Sequence, residues 1–273
     1  MIDARTLGAT ADRLLSVAGV VGVMLGGSRA RGDHHPDSDV DLGLYYRPPL
    51  DVAALSRLAQ ELSDSGASVT EPGGWGPWVD GGGWLRVDDT PVDWIYRDLD
   101  RVQAAWKDAQ AGRCALHAQE GHPLGFLDVA YAGEVALGVV LADPTGELTA
   151  LRDAAQHYPR PLAETFVQRL ARARFAIGIA RKVVNRGDTA FVAGCLFRVV
   201  GLCTHALHGR AGRWLINEKG AVTAAGALPV APAGFAERAH GLLSAIGSTP
   251  GELGAVLDRA EALVDDVEHS CTW

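Results

Sequence analysis

Asp39 and Asp41 stand two residues apart in the stretch MLGGSRARGDHHPDSDVDLGLYY, Met24 to Tyr46. An extended strand sends residues i and i+2 to the same face, so the two carboxylates are predicted to stand side by side. Like charges that close repel unless a cation lies between them, and hard divalent ions such as Mg²⁺ are bound by a couple of carboxylates plus substrate phosphate oxygens. Ahead of the acids, Gly26-Gly27-Ser28 follows an apolar run, Val20 to Leu25. A glycine turn lets backbone and hydroxyl come close to an anion. The spacing therefore points to a metal and phosphate site. Asp93, an acid between Val92 and Trp94, joins that site if its strand lies beside the first.

The elements that must hold these residues can be read in order. Leu7, Leu14, Leu15 and Val17 suit an amphipathic helix over 3–18, ended by Gly19. Val20 to Leu25 reads as a buried strand, Arg29 to Arg31 as the opening of a short helix, and Val40 to Tyr46 as a second strand closed by Pro48-Pro49. A helix over Leu50 to Ser63, a third strand near Ala67 to Thr70, and a hairpin of Trp84 to Val87 with Pro91 to Tyr96 follow. Glu71 to Trp84 is rich in Gly and Trp and reads as a loop, its Trp75 and Trp78 packing over the sheet or shaping a pocket.

From Val102 onward the pattern reads as helical to the end: a long run over Pro161 to Val184, a helix over Thr189 to Leu207 capped by Asp188, a short helix after Trp214 to Gly220, an Ala/Gly/Pro-rich link over Ala221 to Gly234, and a closing helix over Pro250 to Val267.

Length, 273 residues, allows one large or two ordinary domains, and 48% hydrophobic with 21% charged residues is a globular composition. The net charge of −8 argues against a main role in non-specific nucleic-acid binding. Residues 151–219 hold twelve Lys or Arg against four Asp or Glu, +8, which leaves −16 for the rest. Four cysteines show no paired spacing and read as reduced, buried thiols. The N-terminus lacks a signal pattern and no apolar run approaches the roughly 20 residues of a membrane span. The expectation is a cytoplasmic protein.

Gly26-Gly27-Ser28, ten intervening residues, then Asp39-Val40-Asp41-Leu42 resembles the signature of the DNA polymerase beta-like nucleotidyltransferase superfamily, and Val92-Asp93-Trp94 fits the place of its third acid. The resemblance covers roughly residues 20–100; beyond it, the chain is similar to small-molecule (antibiotic) nucleotidyltransferases in outline. It implies an α/β (α+β) catalytic domain with a mixed sheet over 1–110 and an all-α helical-bundle domain over 111–273. The implied reaction is Mg²⁺-dependent transfer of a nucleoside monophosphate, AMP from ATP in first place, to a hydroxyl of a small molecule such as an aminoglycoside-like antibiotic, with release of pyrophosphate. Asp39, Asp41 and Asp93 would hold two Mg²⁺ ions, and Asp93 would take the acceptor proton. Gly27, Ser28 and Arg31 would contact the β- and γ-phosphates, with Lys219 and some arginines of 169–186 neutralising triphosphate charge.

Three other readings attach to these residues. Transfer to a protein or RNA acceptor uses the same acids, and its support is the +8 stretch. A non-catalytic nucleotide-binding module leaves the third carboxylate without a purpose. Gly26-Gly27-Ser28-Arg29-Ala30 approximates a serine-hydrolase nucleophile elbow, but Ala30 stands where glycine is required and the acids go unused. His34 and His35, on a polar loop, read as solvated rather than as metal ligands.

Overall fold

The computed structural model describes residues 2–32, 35 and 38–273, and the chain divides into two compact units. The first comprises 1–108, 115–121 and 125–157; the second comprises 109–114, 122–124 and 158–273. Charge divides with them. The first holds 23 Asp and Glu against 11 Lys and Arg, a net of −12, and the second 10 against 14, a net of +4.

In the first unit, helix α1 (Ala4–Leu15) is capped by the Asp3 carboxylate, which accepts from the Thr6 N–H at 2.8 Å. It leads into β1 (Val20–Leu25), the short helix α2 (Gly27–Arg31) and β2 (Val40–Tyr46). After α3 (Val52–Leu62), capped by Asp51, come β3 (Ser68–Val69), β4 (Gly82–Val87) and β5 (Thr90–Asp98). The β4–β5 turn places Asp88 and Asp89 at φ 48° and 59°. Positive φ at both central residues gives a two-residue hairpin the twist its strands need, and Asp is among the few side chains that accept it. Then follow α4 (Leu99–Gln110), the paired strands β6 (Leu116–His117) and β7 (Phe126–Leu127), α5 (Ala130–Leu137), β8 (Val139–Ala142) and α6 (Glu147–Ala155).

The main sheet has the order β3-β4-β5-β2-β1-β8. It is mixed as expected: β2 and β5 are parallel and the other pairings antiparallel. Period-two alternation gives it two unlike faces. Val40, Leu42 and Leu44 of β2 and Val92, Trp94 and Tyr96 of β5 are buried with Ala11 and Leu14 of α1 and Leu55 and Ala59 of α3. Asp41, Gly43 and Tyr45 therefore share the opposite face with Asp93, Ile95 and Arg97.

Two expectations are corrected here. The chain does not stay helical after Val102: β6, β7 and β8 intervene, and β8 extends the sheet beside β1. The apolar block from Leu127 to Leu141 changes from helix to strand at Gly138, where an added Cβ would lie 2.9 Å from Met24 Cε, and β-branched Val139 and Val140 favour extension. Pairing through β8 keeps residues 125–157 with the first unit.

The second unit is helical: α7 (Arg160–Gln168), α8 (Leu170–Arg181), a 3₁₀ turn at Val184–Arg186, α9 (Thr189–Arg210), α10 (Ala221–Gly226), α11 (Phe235–Ser244) and α12 (Pro250–Ser270). The run expected as one helix over Pro161 to Val184 is broken at Arg169, where a tightened turn joins Arg172 N–H to the Arg169 carbonyl at 2.9 Å. The Ala/Gly/Pro-rich link contains α10, and α11 follows it directly. Asp188 caps α9 as expected, and Thr249 with Glu252 forms a capping box on α12. The view that no apolar run reaches span length is also corrected, because α9 is 22 residues long and apolar enough to cross a membrane. In this fold it is a core helix, burying Val192, Leu196, Val199 and Cys203 among α8, α11 and α12.

Candidate active site

The site is assembled by backbone register before any side chain is placed. β2 and β5 run parallel with Asp41 directly beside Asp93, so their side chains leave the same face about 4.8 Å apart. Both are half-buried, whereas Asp39, just ahead of β2, is exposed. Arg29 of α2 fixes that entry: its Nε donates to the carbonyls of Ser38 at 3.2 Å and Asp39 at 3.1 Å, and its Nη2 to Ser38 at 2.7 Å. This clamp was not foreseen, since an arginine in GSRAR carries no mark that distinguishes it from Arg31. His35 is exposed and ties back to Ser38; His34 lies outside the described residues.

The two glycines of the turn differ. Gly26 donates its N–H to the Asp41 carbonyl at 2.8 Å, and a Cβ there would meet nothing closer than 3.7 Å. Gly27 has φ +63°, and a Cβ on it would lie 1.7 Å from Asp41 Oδ2. The second glycine is required twice, by its backbone and by the carboxylate that occupies the place of its side chain. Ser28 follows within α2, and Arg31 is exposed in the last turn of that helix. Lys219 belongs to the second unit, where it is exposed ahead of α10 with its N–H on Asn217 Oδ1 at 2.9 Å.

These residues fit a divalent cation with phosphate: two facing carboxylates on adjacent strands, a third two residues upstream, and a side-chain-free turn against one of them. Among the described residues, no group of three or more His, Cys, Asp or Glu is gathered closely enough to hold an ion. Asp41 and Asp93 are a pair, and Asp39 stands at its exposed edge. The arginines expected near phosphate are otherwise engaged in two cases, Arg174 with Asp265 and Glu268, and Arg181 with Asp258 and Glu261 of α12.

Beyond Asp93 in the same row, β4 places Trp84. Trp75 lies against it, ring centroids 4.7 Å apart and planes 24° from parallel, and rests over Gly82, where a Cβ would be 2.7 Å from its ring. The loop that carries Trp75 is internally fixed. Asp80 is buried at φ 75°; its Oδ1 accepts from Gly73 N–H and its Oδ2 from the Tyr46 hydroxyl, both at 2.8 Å. Burial, and then the Asp80 carboxylate, hold that phenol above its ordinary range, so it stays a donor. Buried Gln119 donates to the Trp75 carbonyl at 2.6 Å and accepts from the Trp78 and Val79 N–H groups at 3.2 Å. Trp78 itself stacks on His117 at 3.5 Å, a packing role.

Residues 9–69 match the sequence model of the family described as Nucleotidyltransferase domain, a span that includes Gly27, Ser28, Asp39 and Asp41. Over that segment, 61 of the 273 residues, the chain carries the sequence pattern of a nucleotidyltransferase domain. No curated protein matches in sequence. Among solved structures, the chain is similar to a nucleotidyltransferase-like protein from Exiguobacterium sibiricum 255-15, at 13% identity and a TM-score of 0.46, with 96% of this chain and 73% of that one covered. Nucleotidyl transfer from a nucleoside triphosphate is the chemistry of the matched family.

Proposed function

We propose that this protein transfers a nucleoside monophosphate, AMP from ATP, to a hydroxyl of a small cationic molecule of the aminoglycoside class. The observation that carries the reading is the facing of Asp41 and Asp93 across β2 and β5, with Gly27 stripped of a side chain against Asp41. In this reading the turn at Gly27 and Ser28 admits the β- and γ-phosphates, and exposed Arg31 adds charge to them. Mg²⁺ held by Asp39, Asp41 and Asp93 would neutralise the phosphates and stabilise the departing pyrophosphate. Asp93 accepts the proton of the attacking hydroxyl. The new bond joins that oxygen to the α-phosphorus as the bond to the β-phosphate oxygen breaks. A first unit with a net charge of −12 favours a polycationic acceptor over an anionic one.

The test is pyrophosphate release by the purified full chain across the four ribonucleoside triphosphates with Mg²⁺ and a panel of hydroxyl acceptors, aminoglycosides included. Asp41→Ala should lower any turnover by about a thousandfold or more, with circular dichroism documenting that the variant is folded. Turnover retained in that variant removes Asp41 from the chemistry. Release stimulated only by protein or RNA would move the acceptor to a macromolecule.

A further inference from the structure

Trp84 is 60% exposed although it sits within a strand and next to the acids. Reading across the sheet at one level, the order is Trp84, Asp93, Asp41 and then the Gly26-Gly27 turn. At about 4.8 Å per strand this is a nearly straight track some 14 Å long on one face. Resting on the proposed reaction, we propose that Trp84, backed by Trp75, is the platform on which the acceptor lies, and that it takes an amino-sugar ring.

Three observations carry this. In-line displacement sets the attacking oxygen, the phosphorus and the leaving oxygen on one line. With pyrophosphate at Gly27 and the phosphorus over Asp41 and Asp93, that line runs on to Trp84, whereas the ribose leaves the phosphorus away from it. The platform is also built rather than incidental. Trp75 is stacked beneath, seated on side-chain-free Gly82, and its loop is held by Asp80 and Gln119. A rigid indole face costs little entropy to use. Lastly, the charge alongside suits a cation: Asp93 is directly opposite Trp84, Asp41 is one strand further, and Ser68 flanks the other side. Arg86, two residues on, is turned to Asp89 at 3.6 Å. A ring that offers C–H bonds to the indole and an ammonium to its face and to the carboxylates satisfies all of these at once.

The measurement is calorimetric binding to the full chain, without Mg²⁺ or nucleotide, of kanamycin A, streptomycin and spectinomycin, and separately of adenosine 5′-(α,β-methylene)triphosphate with Mg²⁺. Trp84→Ala should weaken at least one of the three by about tenfold, Trp84→Phe should keep the affinity within about threefold of wild type, and the nucleotide analogue should bind all three proteins alike. The platform is overturned if none of the three binds the wild type, if Trp84→Ala binds them as well as wild type does, or if the loss falls on the analogue, which would make Trp84 a nucleobase shelf. Trp84 is exposed, so folding is not at stake, and unchanged circular dichroism documents that. Because no turnover is needed, failure of pyrophosphate release would sink the proposed reaction and leave this result standing, and the reverse holds too.

Discussion

The two ends of β2 and β5 carry charge in opposite ways. At their N-terminal ends Asp41 and Asp93 face each other, with Asp39 upstream. At the C-terminal ends stand Arg97 and, just past β2, Arg47, each gripped by a glutamate. Arg97 donates to both oxygens of Glu134 of α5 at 2.6 and 2.8 Å and to the carbonyls of Val79 and Tyr96 at 2.8 Å. Arg47 makes the same fork to Glu147 of α6 at 3.0 and 2.7 Å and adds Asp100 at 3.0 Å. Asp93 and Arg97 lie on one face of one strand, four residues apart. Glu134 of α5 supplies the counter-charge of Arg97. Arg97 is structural because the fold brings its opposite to it, while Asp93 stands beside a second carboxylate, Asp41, on the adjacent strand.

The largest effects should separate these ends cleanly. Asp93→Asn keeps the shape of the side chain and should tell on turnover far more than on stability, cutting turnover by about a thousandfold or more. Glu134→Ala should do the reverse. It leaves Arg97, whose side chain is 6% exposed, without a counter-ion, and because Glu134 is itself about a quarter exposed the cost should sit near the low end of a buried-pair deletion, about 3 kcal/mol. Urea midpoints with turnover per folded molecule decide both. Equal losses of stability in the two variants would erase the distinction.

What could be read beforehand follows the same division. The two strands that set Asp41 beside Asp93 were legible because a glycine turn and an acid inside an apolar strand are local patterns. The pairing of Arg97 was not, since its partner is 37 residues on, in an apolar stretch whose change from helix to strand at Gly138 no period betrays. The hairpin that carries Trp84 was legible, but only the register with Asp93 reveals which face Trp84 takes. Of the two turn glycines, the sequence treats them alike, and it is the Asp41 carboxylate that makes Gly27 irreplaceable.

Gly27→Ala is the next smaller perturbation. It forces a left-handed φ on alanine and pushes the Cβ into Asp41 Oδ2, so backbone or carboxylate must move. The expected stability loss is about 1–2 kcal/mol, with turnover falling by about a hundredfold because the displaced carboxylate belongs to the open end. Gly26→Ala, with room for its Cβ, should lose far less on both measures. Similar penalties at the two positions would mean that the turn tolerates rearrangement and that Asp41 is not held by it.

The smallest effect belongs to the closed end and depends on pH. Hydrogen bonds from Arg47 first of all hold the Glu147 carboxyl at about 2, against 4.5 ordinarily. Its folded-state pKa is depressed, so its contribution is fully present above pH 4.5. As pH falls from 4.5 towards 2, the unfolded chain takes up a proton that the folded one does not, and the contribution drains away. Side chains about 35% exposed on both partners screen the pair, which limits it to about 1 kcal/mol or less. Glu147→Gln should therefore unfold at slightly lower urea than wild type at pH 7, and the gap should narrow through pH 4 and 3 and close near pH 2. A gap constant across that range would mean that Arg47 contributes by packing rather than by charge. The arginine end would then be held as the core face is, by packing.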